Sequence, residues 1–77
     1  MDNRLSDVTV HVDEALDDAG RRSVEGALQA LEGVESVRNP DDTPHLLVVR
    51  FDPGRVGTAA ILSAVTGHGV HAELVGL

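Results

Sequence analysis

Thiolate chemistry is closed to this chain, because its 77 residues include no cysteine. Disulfides, zinc fingers, cysteine nucleophiles and soft-metal thiolate sites are excluded together. The side chains left with ligating capacity are the histidines His11, His45, His68 and His71 and an acidic stretch, Asp13, Glu14, Asp17 and Asp18. Two or three imidazoles suit Zn²⁺, Ni²⁺ or Cu²⁺, whereas carboxylates suit harder ions such as Mg²⁺ or Ca²⁺. The acidic stretch lacks the alternating oxygen ligands and distal Glu of an EF-hand loop. Its simpler reading is capping: Asp17 or Asp18 stands where an N-cap is wanted, and negative charge at a helix N-terminus is worth roughly 0.3 to 1 kcal/mol. Ser23, Ser36 and Ser63 have no histidine and acid partner in reach, and no glycine-rich phosphate loop follows a strand. The paired carboxylates have no cleft to work in, so the chain reads as non-enzymatic.

Six elements emerge from the hydropathy pattern to hold these side chains. Asp7 to Val12 reads D-V-T-V-H-V, with Val8, Val10 and Val12 on one face and Thr9 and His11 on the other. A polar stretch then leads into a helix over Ser23 to Leu31, where Val24, Ala27, Leu28 and Leu31 recur at helical spacing and Gly33 stands where a C-terminal cap belongs. Val34 to Asn39 is a short second strand, stopped by the turn formers N-P-D-D-T-P. The third strand, His45 to Phe51, puts Leu47, Val49 and Phe51 on one face and Leu46, Val48 and Arg50 on the other. After Asp52-Pro53-Gly54 a second helix runs from Gly57 or Thr58 to Thr66, with Val56, Ile61, Ala64 and Val65 as its core side. The last strand, Val70 to Val75, turns Val70, Ala72 and Leu74 inward and His71, Glu73 and Val75 outward. The order βαββαβ with right-handed crossovers predicts an α+β, ferredoxin-like sandwich: one antiparallel sheet of order 4-1-3-2 with both helices on one face. A single domain fills residues 1–77.

This topology sets strand one beside strand four, so His11 and His71 fall at one end of the sheet and point away from the helices. Directly opposed residues in such a pair have Cβ atoms about 4.5 to 5.5 Å apart, close enough for two imidazoles to share an ion. His45 lies toward the same end, although its parity puts it on the helix side unless the strand end twists. Glu73 is placed to accept a proton from either ring. His68 belongs to an exposed turn. Against a metal site stands the commoner case, in which surface histidines only titrate. The same open face carries Leu46, Val48 and Val75 beside Thr9, where a solvated face would be polar. Docking of a protein partner or a second copy follows as an expectation, weakened at acid pH by protonation of His11 and His71.

Thirteen acidic against six basic residues give a net charge of −7, which opposes phosphate backbones and anionic membranes. One Phe and no Trp or Tyr leave no platform for stacking bases. Nucleic acid and membrane are thus not expected partners. Met1 to Ser6 has no apolar targeting core and no apolar run nears the ~20 residues of a membrane span, which predicts a cytoplasmic protein.

With the elements in order, the residues resemble the heavy-metal-associated domain of copper chaperones and metal-transporting ATPases. S-V-E-G-A-L-Q-A-L-E-G-V-E-S-V at Ser23 to Val37 is similar to that family's first helix and second strand, V-V-R-F-D-P at Val48 to Pro53 to its third strand, and G-H-G-V-H-A-E-L at Gly67 to Leu74 closes the pattern. The resemblance spans about residues 8 to 75. It implies the ferredoxin-like fold and a family role in heavy-metal binding and transfer. It also implies a Met-x-Cys-x-x-Cys loop, and the chain departs there: Ala15-Leu16-Asp17-Asp18-Ala19-Gly20 occupies the segment, with Asp17 and Gly20 at the cysteine positions. A carboxylate and a glycine do not make a Cu(I) site. Val70 replaces the Tyr or Lys that family members place beside the metal. The expected function is a protein-interaction or self-associating module; the alternative is a metal-handling protein that uses His11, His71 and His45, or Asp17 and Asp18, toward a divalent ion such as Cu, Ni or Zn. Fold analogy alone adds a small-ligand regulatory domain.

Overall fold

The computed structural model describes residues 4–76; Met1 to Asn3, and with them part of the segment read for targeting, lie outside it. Six elements follow in order: β1 (Ser6–Val12), α1 (Asp18–Gln29), β2 (Val34–Arg38), β3 (Leu46–Phe51), α2 (Thr58–Thr66) and β4 (Ala72–Gly76). The strands form one antiparallel sheet, β2-β3-β1-β4, which is the expected order read from the other edge.

The core is aliphatic, as one Phe and no Trp or Tyr require. Val8, Val10 and Val12 of β1 and Leu47, Val49 and Phe51 of β3 meet Val24 and Leu28 of α1, Val56, and Ile61 and Val65 of α2, all buried. Each such side chain contributes roughly 1.5 to 3 kcal/mol on burial. The alternation of β1 and β3 is therefore set by which face the helices cover.

α1 begins five residues before the apolar spacing predicts. Residues Asp18 to Ser23 offer no apolar stripe, and the turn forms because Asp17 caps it, its side chain accepting from Gly20 N at 2.8 Å. The chain leaves α1 through Gly33, whose φ of +102° suits a residue without Cβ. A Cβ there would also come within 2.9 Å of Arg55 Cβ and Val56 Cγ1. β4 starts two residues later than the pattern suggests. Val70 and Ala72 pack against the core, but Leu74, expected inward, remains 36% exposed on this edge strand. No helix of the described residues is long and apolar enough to cross a membrane.

Candidate functional site

The polar groups singled out by the sequence gather at the sheet end where β1 leaves for α1. Every acid of that loop is taken up by a neighbour within the chain. Asp13 lies 3.3 Å from His11 Nδ1. Glu14 accepts twice from His71, from its backbone N–H at 2.8 Å and from ring Nδ1 at 2.6 Å. Asp17 accepts from Gly20 N, and Asp18 faces Arg21 at 3.7 Å. The Glu14–His71 clasp raises the His71 pKa, chiefly through the side-chain hydrogen bond and then through the carboxylate's charge, and lowers that of Glu14 by the same bond. A backbone bond from Asp13 N to His71 O, 2.8 Å, fastens the loop to β4 beside the clasp. Each acid of the loop thus has at least one oxygen engaged within the chain, and Glu14 has both.

The register separates His11 from His71. Directly across β4 from His11 stands Glu73, and His71 lies before β4 begins, turned to Glu14. The histidine that meets His11 is His45: their ring centres are 6.1 Å apart with planes inclined by 24°. Parity misplaces His45 because β3 starts at Leu46, so His45 is free of the strand's alternation. Its backbone carbonyl receives Val12 N at 2.9 Å while its ring Nδ1 reaches back to Val12 O at 3.1 Å. His68 is exposed in its turn.

The open face has three rows. Ser36, Arg50 and Asp7 form one; Arg38, Val48 and Thr9 the next, ending at a β4 bulge that leaves Val75 unpaired; Leu46, His11 and Glu73 the third. Thr9, Leu46 and Val48 are half-buried and Val75 is 51% exposed. Arg50 is bound to Asp7 at 3.0 Å. The side chains of Arg38 and Glu73, at opposite edges, make no hydrogen bond or ion pair among the described residues.

Sequence reasoning missed Glu14 as the partner of His71, and it missed Asn39. The Asn39 side chain binds Arg21 Nε and donates to Leu46 O at 2.6 Å and Pro44 O at 3.2 Å, which ties α1 to the β2–β3 connection. Only a register that places loop against loop reveals either. At the other end of the sheet a pocket of about 420 Å³ is lined by Phe51, Pro53, Val56 and Thr58, and its one titratable side chain, Asp7, is the partner of Arg50.

No protein-family model and no curated protein matches the chain. Solved structures do. Oxidized MerP from Ralstonia metallidurans CH34 superposes with a TM-score of 0.82 at 24% identity, over 92% of this chain and 97% of that one. The copper binding domain from HMA7, a P-type ATPase, gives 0.81 at 27% identity, over 91% and 93%. The N-terminal domain of a potential copper-translocating P-type ATPase from Bacillus subtilis, in its Cu(I)-loaded state, gives 0.85 at 18% identity, over 95% and 90%. The chain has the ferredoxin-like fold and is similar in fold and strand order to these heavy-metal-associated domains, and it holds no cysteine.

Proposed function

We propose that this is a non-enzymatic domain that works by protein contact, pairing with a second copy of itself through the open face of its sheet. The observation that carries the reading is the layout of that face. An apolar centre, Val48 and Leu46 with Thr9, separates the Arg38 side chain on the β2 edge from the Glu73 side chain on the β4 edge, neither of them paired among the described residues. A two-fold axis parallel to the strands and lying between two such faces sets the β2 edge of each copy over the β4 edge of the other, arginine half over acidic half. The β1–α1 loop supports the reading from the opposite side, because its acids are occupied by Gly20, Arg21, His11 and His71 and its cysteine positions hold Asp17 and Gly20.

Size decides how strong such a dimer is. Four strands about 4.8 Å apart and three rows of side chains cover on the order of 400 Å² per copy, half of the ~800 Å² per partner found in standard interfaces. The expected dimer is weak and concentration-dependent. Sedimentation velocity over a concentration series should show a mass rising toward twice the chain's own. V48E should hold the protein monomeric, and R38E and E73R should each weaken the dimer while the two together restore it. A mass fixed at that of one chain at every concentration defeats the proposal. A dimer indifferent to V48E moves the contact elsewhere.

A further inference from the structure

The His11–His45 pair carries an arrangement that the docking reading does not use. The His45 Nδ1 is hydrogen-bonded at 3.1 Å to the Val12 carbonyl, an oxygen that can only accept, and the His11 Nδ1 lies at ion-pair distance, 3.3 Å, from an Asp13 carboxylate oxygen. The neutral His45 ring is thereby fixed as the tautomer with the proton on Nδ1, which leaves its Nε2 lone pair unused, and the Nε2 of His11 makes no hydrogen bond or ion pair among the described residues. A ring held this way by a carboxylate or a backbone carbonyl is the usual state of a metal-ligating histidine.

The spacing of the two rings allows a shared ion once His11 turns its ring. With metal–nitrogen bonds of about 2.0 to 2.1 Å, two imidazoles on one ion have ring centres between about 4.5 and 6.4 Å apart, and here the separation is 6.1 Å. The two residues are held by backbone as well as side chain, since His11 pairs with Leu46 in the register and Val12 N binds His45 O. His11, with 40% of its side chain exposed, has the room to turn its Nε2 toward an ion. Glu73, directly across from His11, and Asp13 add negative charge beside the pair. Among the described residues no group of three His, Asp or Glu is placed to hold an ion, so water completes the coordination.

We infer that His11 and His45 form a two-imidazole site for a borderline divalent cation at the open end of the sheet. Cu²⁺ binds first, because it heads the affinity order for nitrogen ligands, with Ni²⁺ and Zn²⁺ behind it. His71 is no part of the site, since it precedes β4 and is turned to Glu14, while the residue across from His11 is Glu73. Asp13 is a positioning residue: its carboxylate, 3.3 Å away, favours a proton on the facing His11 Nδ1 and so the tautomer whose Nε2 can ligate.

The test is calorimetric titration of tag-free protein with Cu²⁺, paired with the electron paramagnetic resonance spectrum of the complex. One ion per chain with hyperfine structure from two nitrogens is expected. H11A and H45A should each weaken binding at least about tenfold, and D13N by about tenfold, while H71A and the monomeric V48E bind as the parent does. His45→Gln covers the case in which H45A unfolds, because its amide can keep the bond to Val12 O without supplying an imidazole. Absence of Cu²⁺ binding, an affinity unmoved in His45→Gln, or a loss in H71A as large as in H11A overturns the inference. Retention of the site in V48E keeps its fate separate from that of the dimer.

Discussion

Two regions at one end of the molecule carry side chains able to ligate metal, and they have opposite commitments. In the β1–α1 loop the oxygens of Asp17, Asp18 and Glu14 face Gly20 N, Arg21 and His71. Where β1 ends and β3 begins, the rings of His11 and His45 have only their Nδ1 atoms engaged. The loop is richer in donors, yet each of its acids already has an oxygen engaged, whereas both histidines keep a whole ring nitrogen, Nε2, without a partner among the described residues. Donor count therefore says less than hydrogen-bond bookkeeping: a carboxylate that caps a helix or grips an imidazole must give up that partner before it can take an ion.

The largest effect expected from breaking this contrast comes from rebuilding the loop. D17C/G20C places two thiolates where Asp17 and Gly20 stand and should raise Cu(I) affinity by orders of magnitude over the parent, read by competition with a Cu(I) chelator. A Cβ at position 20 lies 3.2 Å from Asp17 Oδ1 and 3.3 Å from Leu16 Cδ2. The double change removes the first conflict and the flexible Leu16 tip relieves the second. G20C alone keeps the crowding and gains one thiolate, so it should bind Cu(I) far less well than the pair.

Next in size is the loop's structural role. D17A removes the cap of α1 and should cost about 1 kcal/mol in urea denaturation, with Cu²⁺ affinity at His11 and His45 unchanged. A fall in that affinity would show that loop and sheet end are one site instead of two.

The smallest effect is the pH response of the Glu14–His71 clasp. Unfolded, Glu14 titrates near its ordinary 4.5 and His71 near 6.5. The raised His71 value makes its contribution complete below 6.5 and lost as pH climbs through the folded value above that. The lowered Glu14 value makes its contribution complete above 4.5 and lost as pH drops through the folded value below that. The clasp is therefore whole between 4.5 and 6.5. Proton NMR should place the His71 midpoint above 6.5, and E14Q should bring it down. A midpoint indifferent to E14Q would mean that the clasp does not form in solution.

Much of the architecture was legible in the chain because the period of its apolar residues changes cleanly between elements. Val8, Val10 and Val12 alternate; Val24 and Leu28 stand one helical turn apart; both sets are buried. Element ends were less legible, since capping needs no apolar stripe: the first turn of α1 exists through Asp17 and carries nothing that periodicity can detect. The candidate site was half legible. His11 was placed on the open face by its parity with Thr9, but His71 was set against it ahead of His45, whose parity pointed to the helix side, because the neighbour across a sheet depends on register and His45 lies one residue outside β3.

The sequence by itself determined the βαββαβ order, the aliphatic core and the impossibility of a thiolate site, for these follow from residue type and local period. Tertiary structure alone decided which polar groups meet. Glu14 and His71 lie 57 positions apart, His45 and Val12 33, and the pairing of each is set by strand register and loop path. Those are properties of the whole sheet, since one residue of slip would exchange the buried face of β1 for the open one and scatter every pair described above.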